Sequence, residues 1–256
     1  MKCVICGHNF KTSMTKTTVF IIMIVCSFQT SFAQFSKTKL GQMLESKIGK
    51  PVATSLSNDE IIAGLKEALS VGITKGSAKA SAMDGYLKNP QIRIPVPPEA
   101  RILETRLRQI GMGKQVDQFV MSMNRAAEDA AKQAKPIFVK AIFSMSFQDA
   151  LSILRGDSTA ATNYLKKTTS PELLKAFMPV IDSTLAKNKT TQYYNTLATT
   201  YNQLPFVTKV NPDVKQYATQ KAVDGLFLLI AQEEQKIRKD PLARATDLLK
   251  KVFSAK

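Results

Sequence analysis

Residues 114–145 read KQVDQFVMSMNRAAEDAAKQAKPIFVKAIFSM, and their apolar positions decide the class of fold. Val116, Phe119, Val120, Met123, Ala127, Ala130, Ala134, Ile137, Phe138 and Ala141 return every few residues. That spacing places them along one face of an α-helix, whereas a half-buried strand would alternate. Pro136 lacks a backbone N–H, so the segment predicts one long helix, Lys114 to about Met145, kinked near that residue.

Working upstream, Gly111-Met112-Gly113 stops a predicted helix over Pro98 to Ile110. The stretch 84–98 breaks the helical pattern. Asp84-Gly85 and Asn89-Pro90 are turn signals, and Ile92-Arg93-Ile94-Pro95-Val96-Pro97-Pro98 places prolines where each restricts its predecessor to extended conformations. This proline-rich segment near 90–98 is the one piece expected to be extended, and too rich in proline for a central strand. Before it, Ser57-Asn58-Asp59-Glu60 spells a capping box for a helix over 57–80, loosened by Gly72 and Gly76. Residues 34–56 form a polar lead-in with one short amphipathic stretch, Leu40 to Ile48, closed by Gly49 and Pro51.

Downstream, Ser146-Phe147-Gln148-Asp149 opens a short helix ending at Gly156, and Asp157 or Ser158 opens another reaching Lys167. Ser170-Pro171-Glu172 has the form of a cap with proline at the first helical position, predicting a separate helix to about Lys187. Thr190 to Asn202 follows, then a loop between Leu204-Pro205 and Asn211-Pro212. Asp213 to Lys239 is strongly apolar along Val223, Leu226, Phe227, Ile230 and Ile237, and Asp240-Pro241 opens a last helix through Phe253. The expectation is a single all-α domain over 57–256, of about nine helices with short antiparallel connections. No repeat at fixed period points to a solenoid.

The amino terminus changes the chemistry available to the rest. Val19 to Phe28 is an apolar run preceded by Lys16 and followed by Ser31-Phe32-Ala33, the pattern of a secretory signal peptide. It falls short of the roughly 20 apolar residues a membrane-spanning helix needs. Cleavage after Ala33 makes residues 1–33 a leader, and a start at Met14 gives that leader ordinary length. Cys26 follows Val25, where a lipid-attachment box wants a small residue. The expected destination is therefore the periplasm or cell surface, with no transmembrane helix in the mature chain.

All three cysteines (Cys3, Cys6, Cys26) and the one histidine, His8, lie in that leader, and the chain has no tryptophan. A mature chain so composed has no Cys nucleophile, no Ser-His-Asp triad, no Cys/His zinc site and no disulfide. Neither a metal nor a cofactor is expected. Cys3-Val4-Ile5-Cys6-Gly7-His8 resembles half a metal site without its second pair of ligands.

Charge narrows the partners. The chain carries +16, of which Lys2, Lys11 and Lys16 belong to the leader. The remaining cations are spread along every predicted helix, unlike the concentrated face of a nucleic-acid binder. An anionic envelope component or a small molecule is the expected partner, with nucleic acid disfavoured.

Few residues suggest chemistry. Ser36 and Lys39 have Ser-x-x-Lys spacing but stand too near the mature terminus for a desolvating pocket. Gly111-Met112-Gly113-Lys114 lacks the strand and hydroxyl of a phosphate loop. Glu233 and Glu234 point about 100° apart on a helix, and Glu234 reads as a surface ion pair with Arg238. Asp224 stands in the most apolar helix beside Gly225, which would admit a close neighbour; a buried charge there calls for Lys221 or an arginine as partner. Arg93 between Ile92 and Ile94 is either a snorkelling side chain or a cation that reads an anion. Tyr193-Tyr194-Asn195 offers aromatic faces with polar tips.

Several stretches resemble an uncharacterised bacterial envelope family, domain of unknown function 4197. They are Gly64 to Leu69, Asn89-Pro90 through Ile94-Pro95, Ser122-Met123-Asn124-Arg125-Ala126-Ala127-Glu128, Tyr193-Tyr194-Asn195, Val210-Asn211-Pro212-Asp213, Thr219 to Phe227 and Asp247 to Phe253. The resemblance spans about 55–254 and implies a signal peptide or lipid anchor before a helical domain, without an activity or a catalytic residue. Candidate ligand-binding residues are Arg93, Asn124, Arg125, Tyr193, Tyr194, Asn195, Lys221 and Asp224. Non-enzymatic binding is the leading expectation. The alternatives are a purely structural envelope component or a hydrolase built on converging carboxylates, drawn from Asp224, Glu128 and Glu233.

Overall fold

The computed structural model describes residues 57–240 together with Leu242, Asp247 and Lys250. The leader, the lead-in and most of the last expected helix lie outside these residues, and with them the count of nine. Among the described residues there is no strand; the elements are helices α1 (Asn58–Ser81), α2 (Arg101–Gln109), α3 (Gly113–Ala131), α4 (Ala134–Phe143), α5 (Phe147–Arg155), α6 (Ala160–Ala186), α7 (Lys189–Tyr201) and α8 (Lys215–Lys239). A 3-10 turn, Pro98–Ala100, leads into α2.

Local chemistry explains the starts. The Ser57 hydroxyl accepts from the Glu60 N–H at 3.2 Å while Glu60 accepts from the Ser57 N–H at 2.8 Å, the reciprocal bonds the sequence predicts for α1. Ser146 and Asp149 do the same for α5.

Two helix boundaries differ from expectation. The segment 114–145 is interrupted at Lys132-Gln133, where i→i+3 bonds such as Gln133 N–H to the Ala130 carbonyl (2.9 Å) tighten the chain. The interruption precedes Pro136, which therefore falls in the first turn of α4, where a missing N–H removes no helical bond. Conversely, the helices expected to divide near Ser170 are one continuous helix, α6, with Pro171 and Pro179 inside it. The hydroxyls of Thr168, Thr169 and Ser170 donate to the carbonyls of Tyr164, Leu165 and Lys166, so in the turn before the proline these side chains bond back to their own helix.

α8 packs against both α1 and α6, and α3 packs against α6 and α8. Leu65, Ile73, Met123, Phe138, Leu165, Phe177, Ile181 and Leu226 are enclosed in one continuous core. Removing such side chains from water is the main stabilising term, about 1.5–3 kcal/mol each. No single helix among the described residues is long and apolar enough to cross a membrane.

The connection between α1 and α2 positions the site described next. Ile92, Ile94 and Val96 are buried while Gln91, Arg93 and Pro95 are exposed, so the segment lies along the bundle with alternate residues inward. Asn124 of α3 holds it: its amide oxygen accepts from the Ile94 N–H (2.8 Å) and its nitrogen donates to the Ile94 carbonyl (2.8 Å). A side chain thus stands in for a neighbouring strand.

Candidate functional site

Between the Gln91–Pro98 segment and α8 lies a groove of about 270 Å³, lined in part by Ile92, Pro95, Pro98, Tyr217 and Leu228. Three exposed cations border it: Arg93 on the segment, Arg101 at the start of α2 and Lys221 on α8. Among the described residues none of the three has an ion-pair partner. Lys221 lies 6.0 Å from the Tyr217 ring centroid, and the Tyr217 hydroxyl donates to the Pro95 carbonyl (3.2 Å), joining the two walls. Burial pushes the Tyr217 hydroxyl above its ordinary 10.0, so it stays protonated and able to donate at neutral pH.

α8 can approach this closely because of Gly225. A Cβ there would stand 2.9 Å from Tyr86 Cε1 and 3.0 Å from Ile92 Cβ. Tyr86 is enclosed under the same helix and donates to the Ala222 carbonyl at 2.6 Å. Its hydroxyl, shifted upward by burial and then by the nearby Glu128 and Asp224 charges, remains a donor.

The candidates read from sequence divide three ways. Arg93, Lys221 and Asp224 converge on this groove. Asp224 is half-buried and accepts from the Gln220 amide (3.1 Å) instead of pairing with Lys221 or an arginine, because the helix surface leaves it open to water. Asn124 and Arg125 are used internally. Arg125 joins Glu128 (2.6 Å) to Asp84 (2.6 Å), and Glu128 accepts from the N–H groups of Tyr86 and Leu87, fixing the turn after α1. Tyr193 and Tyr194 line a different, apolar pocket, in which Tyr194 stacks on Phe119 at 4.3 Å and donates to the Asn211 carbonyl. Asn195 borders a third hollow beside Asp182 and Lys215.

The carboxylates considered for hydrolysis are dispersed. Asp224 is the one acid lining the 270 Å³ groove; Glu128 holds backbone, and Glu233 is paired with Lys79 and Lys236. Glu234 and Arg238 do form an ion pair, at 2.9 Å, but it is buried, not at the surface as expected. Glu234 also accepts from the N–H groups of Ala161 and Thr162, and Arg238 donates to the Ile153 carbonyl, so the pair joins the end of α5 to the start of α6. Among the described residues no group of three His, Cys, Asp or Glu could hold a metal ion.

Sequence reasoning missed Arg101 and Tyr217. Arg101 did carry a signal: a cation in the first turn of a helix opposes the macrodipole, a placement that calls for an anion nearby. Tyr217 carried none, since its role depends on a contact with Pro95 across the fold.

Neither a curated protein nor a solved structure matches the chain. A family model does, over residues 55–254, a span that contains every described element. The chain therefore belongs to the family described as protein of unknown function (DUF4197).

Proposed function

We propose that the protein is an exported, non-enzymatic module that binds an anionic ligand in the groove between the Gln91–Pro98 segment and α8. The observation that carries this reading is the meeting of Arg93, Arg101 and Lys221, none of them ion-paired among the described residues, around one concavity whose lining holds a single acid, Asp224. Like charges held together cost free energy unless an anion offsets them. Guanidinium groups offer forked donors suited to carboxylate or phosphate, and Lys221 adds a point charge. Tyr217, Ile92 and Leu228 supply apolar surface for the body of the ligand, leaving Asp224 and Gln91 to fix a hydroxyl or amine. Export is carried by the leader pattern of residues 1–33.

The test is native mass spectrometry on protein purified from its own envelope without refolding. An anionic adduct on the wild type, absent from the Arg93→Gln/Lys221→Gln variant, is the expected result. A bare mass for the wild type, with no thermal shift on adding inorganic phosphate or citrate, would overturn the reading.

A further inference from the structure

A second surface, at a different place in the bundle, carries its own argument. α7 runs antiparallel to α3. Thr191 meets Ser122 at 3.4 Å, Tyr194 stacks on Phe119, and Leu197 shares a pocket with Val116 and Met112. Each step toward the end of α7 is a step toward the start of α3. The α7–α8 loop and the α2–α3 turn therefore emerge at the same end of this helix pair.

Both connections present apolar tips. Phe206 is 106% exposed, Leu204 55% and Ile110 71%. The α7–α8 loop is tied at its base. Asn202 accepts from the Val210 N–H and donates to the Val210 carbonyl, both at 2.8 Å, closing the loop at its base, and the Leu204 N–H bonds the Tyr201 carbonyl. Within that closed loop Phe206 adopts φ +61°, in the left-handed region that side-chain-bearing residues seldom occupy. A conformation of this kind, which aims a large apolar ring into solvent, points to a function outside the fold.

The charge of the two connections is one-sided. Residues 109–115 and 203–210 contain Lys114 and Lys209 and no acid. Among the described residues neither lysine has an ion-pair partner. Apolar tips with one lysine on each connection and no acid between them complement the headgroup region of an anionic bilayer. A second copy docking through the same end would bring like charges together, which disfavours self-association there.

We propose that this end of the bundle seats on an anionic lipid surface, with Phe206, Leu204 and Ile110 entering the interface and Lys114 and Lys209 meeting the headgroups. The chain has no tryptophan, so a single introduced indole reports its own surroundings alone. Phe206→Trp and Ile110→Trp would be made in the full chain, with Met83→Trp as control, since Met83 is 82% exposed but stands beside Asp84.

With phosphatidylglycerol vesicles the emission of the indole at 206 and at 110 moves to the blue; with phosphatidylcholine it does not, and at 83 it stays put in both. Adding Lys114→Gln and Lys209→Gln raises the half-saturating lipid concentration by roughly thirtyfold, about a factor of five per lysine. An indole at 206 that stays in water while the chain sediments with the vesicles would overturn the proposal and assign binding to another segment, such as the apolar run Val19–Phe28. A blue shift without lipid that grows with protein concentration would overturn it in favour of a second copy. An equal shift at all three positions would mean unfolding on the vesicle and would also sink it.

Discussion

Glu234, near the end of α8, caps the first turn of α6 through Thr162, accepting from its N–H at 2.8 Å and from its hydroxyl at 2.7 Å. A carboxylate at a helix N-terminus meets both orphan donors and the positive end of the dipole, and this one comes from a helix 72 residues away in sequence. Glu234→Gln keeps the shape and removes the charge while the Arg238 guanidinium keeps its own beside Ile153. The expected loss is about 3 kcal/mol in urea unfolding, with Thr162→Val losing about 1 kcal/mol. Equal, small losses for both would show that the buried pair contributes little beyond one neutral hydrogen bond.

The neighbouring Glu233 makes stability depend on pH. Burial pushes its carboxyl up, but the Lys79 and Lys236 ammoniums outweigh that and hold it below the ordinary 4.5. A lowered folded value stabilises above 4.5 and loses its contribution as pH falls through that lowered value. Lys79, raised above 10.5 chiefly by its bond to Glu233, contributes below 10.5 and loses that contribution as pH rises through its folded value. Lys79 is half-exposed, which limits the pair to about 1 kcal/mol. Glu233→Gln is expected to unfold at lower urea than wild type near pH 7, with the gap closing below about pH 4.5. A gap that persisted at low pH would mean the effect is packing rather than charge.

Gly225 and Gly72 separate close approach from helix propensity. At Gly225 a Cβ meets Tyr86 and Ile92 at 2.9 and 3.0 Å, both enclosed; at Gly72 the nearest atom is Ile237 Cδ1 at 3.6 Å, an ordinary contact. Alanine favours a helix by about 1 kcal/mol over glycine. Gly72→Ala should therefore raise the melting midpoint, and Gly225→Ala should lower it as overpacking of about 1–3 kcal/mol exceeds the propensity gain. Gly225→Ala should also weaken the anion adduct, because α8 would stand off from Ile92.

Asn124 couples the core to the groove. Asn124→Leu leaves the enclosed Ile94 N–H and carbonyl without partners, at about 1–3 kcal/mol for each such group. The expected outcome is a less stable protein whose Gln91–Pro98 segment exchanges amide hydrogens faster than α8 does. Uniform protection across both would show that the segment is held by packing of Ile92, Ile94 and Val96 alone.

What could be read before the structure follows from how local each cause is. The α1 cap lies within four residues, and the apolar stripe of α3 repeats within one turn, so both were legible. The groove was legible only in fragments. Arg93, Arg101 and Lys221 lie on three separate segments, and Gly225, the residue that lets two of those segments meet, announces a close approach without naming the neighbour. The tertiary cap by Glu234 left no local trace, because its partners at Ala161 and Thr162 carry no pattern that calls for it.

α6 shows the opposite failure, a local signal overridden by packing, and it yields the sharpest mutational contrast. Ser170-Pro171-Glu172 has every mark of a helix start, yet Thr169, Leu173, Phe177 and Ile181 continue one buried face through it. Burying those side chains as α6 packs against α3 and α8 outweighs the proline's cost. If Pro171 were a first-turn residue, alanine there would be neutral or slightly destabilising through the looser unfolded chain. Inside a continuous helix, Pro171→Ala restores an N–H and removes the clash with the carbonyl of Lys167. The expected gain is about 1–2 kcal/mol after the unfolded-state entropy is subtracted, read as a higher urea midpoint at unchanged slope. A lower midpoint would mean that the bend at Pro171 is itself needed to fit α6 against α8.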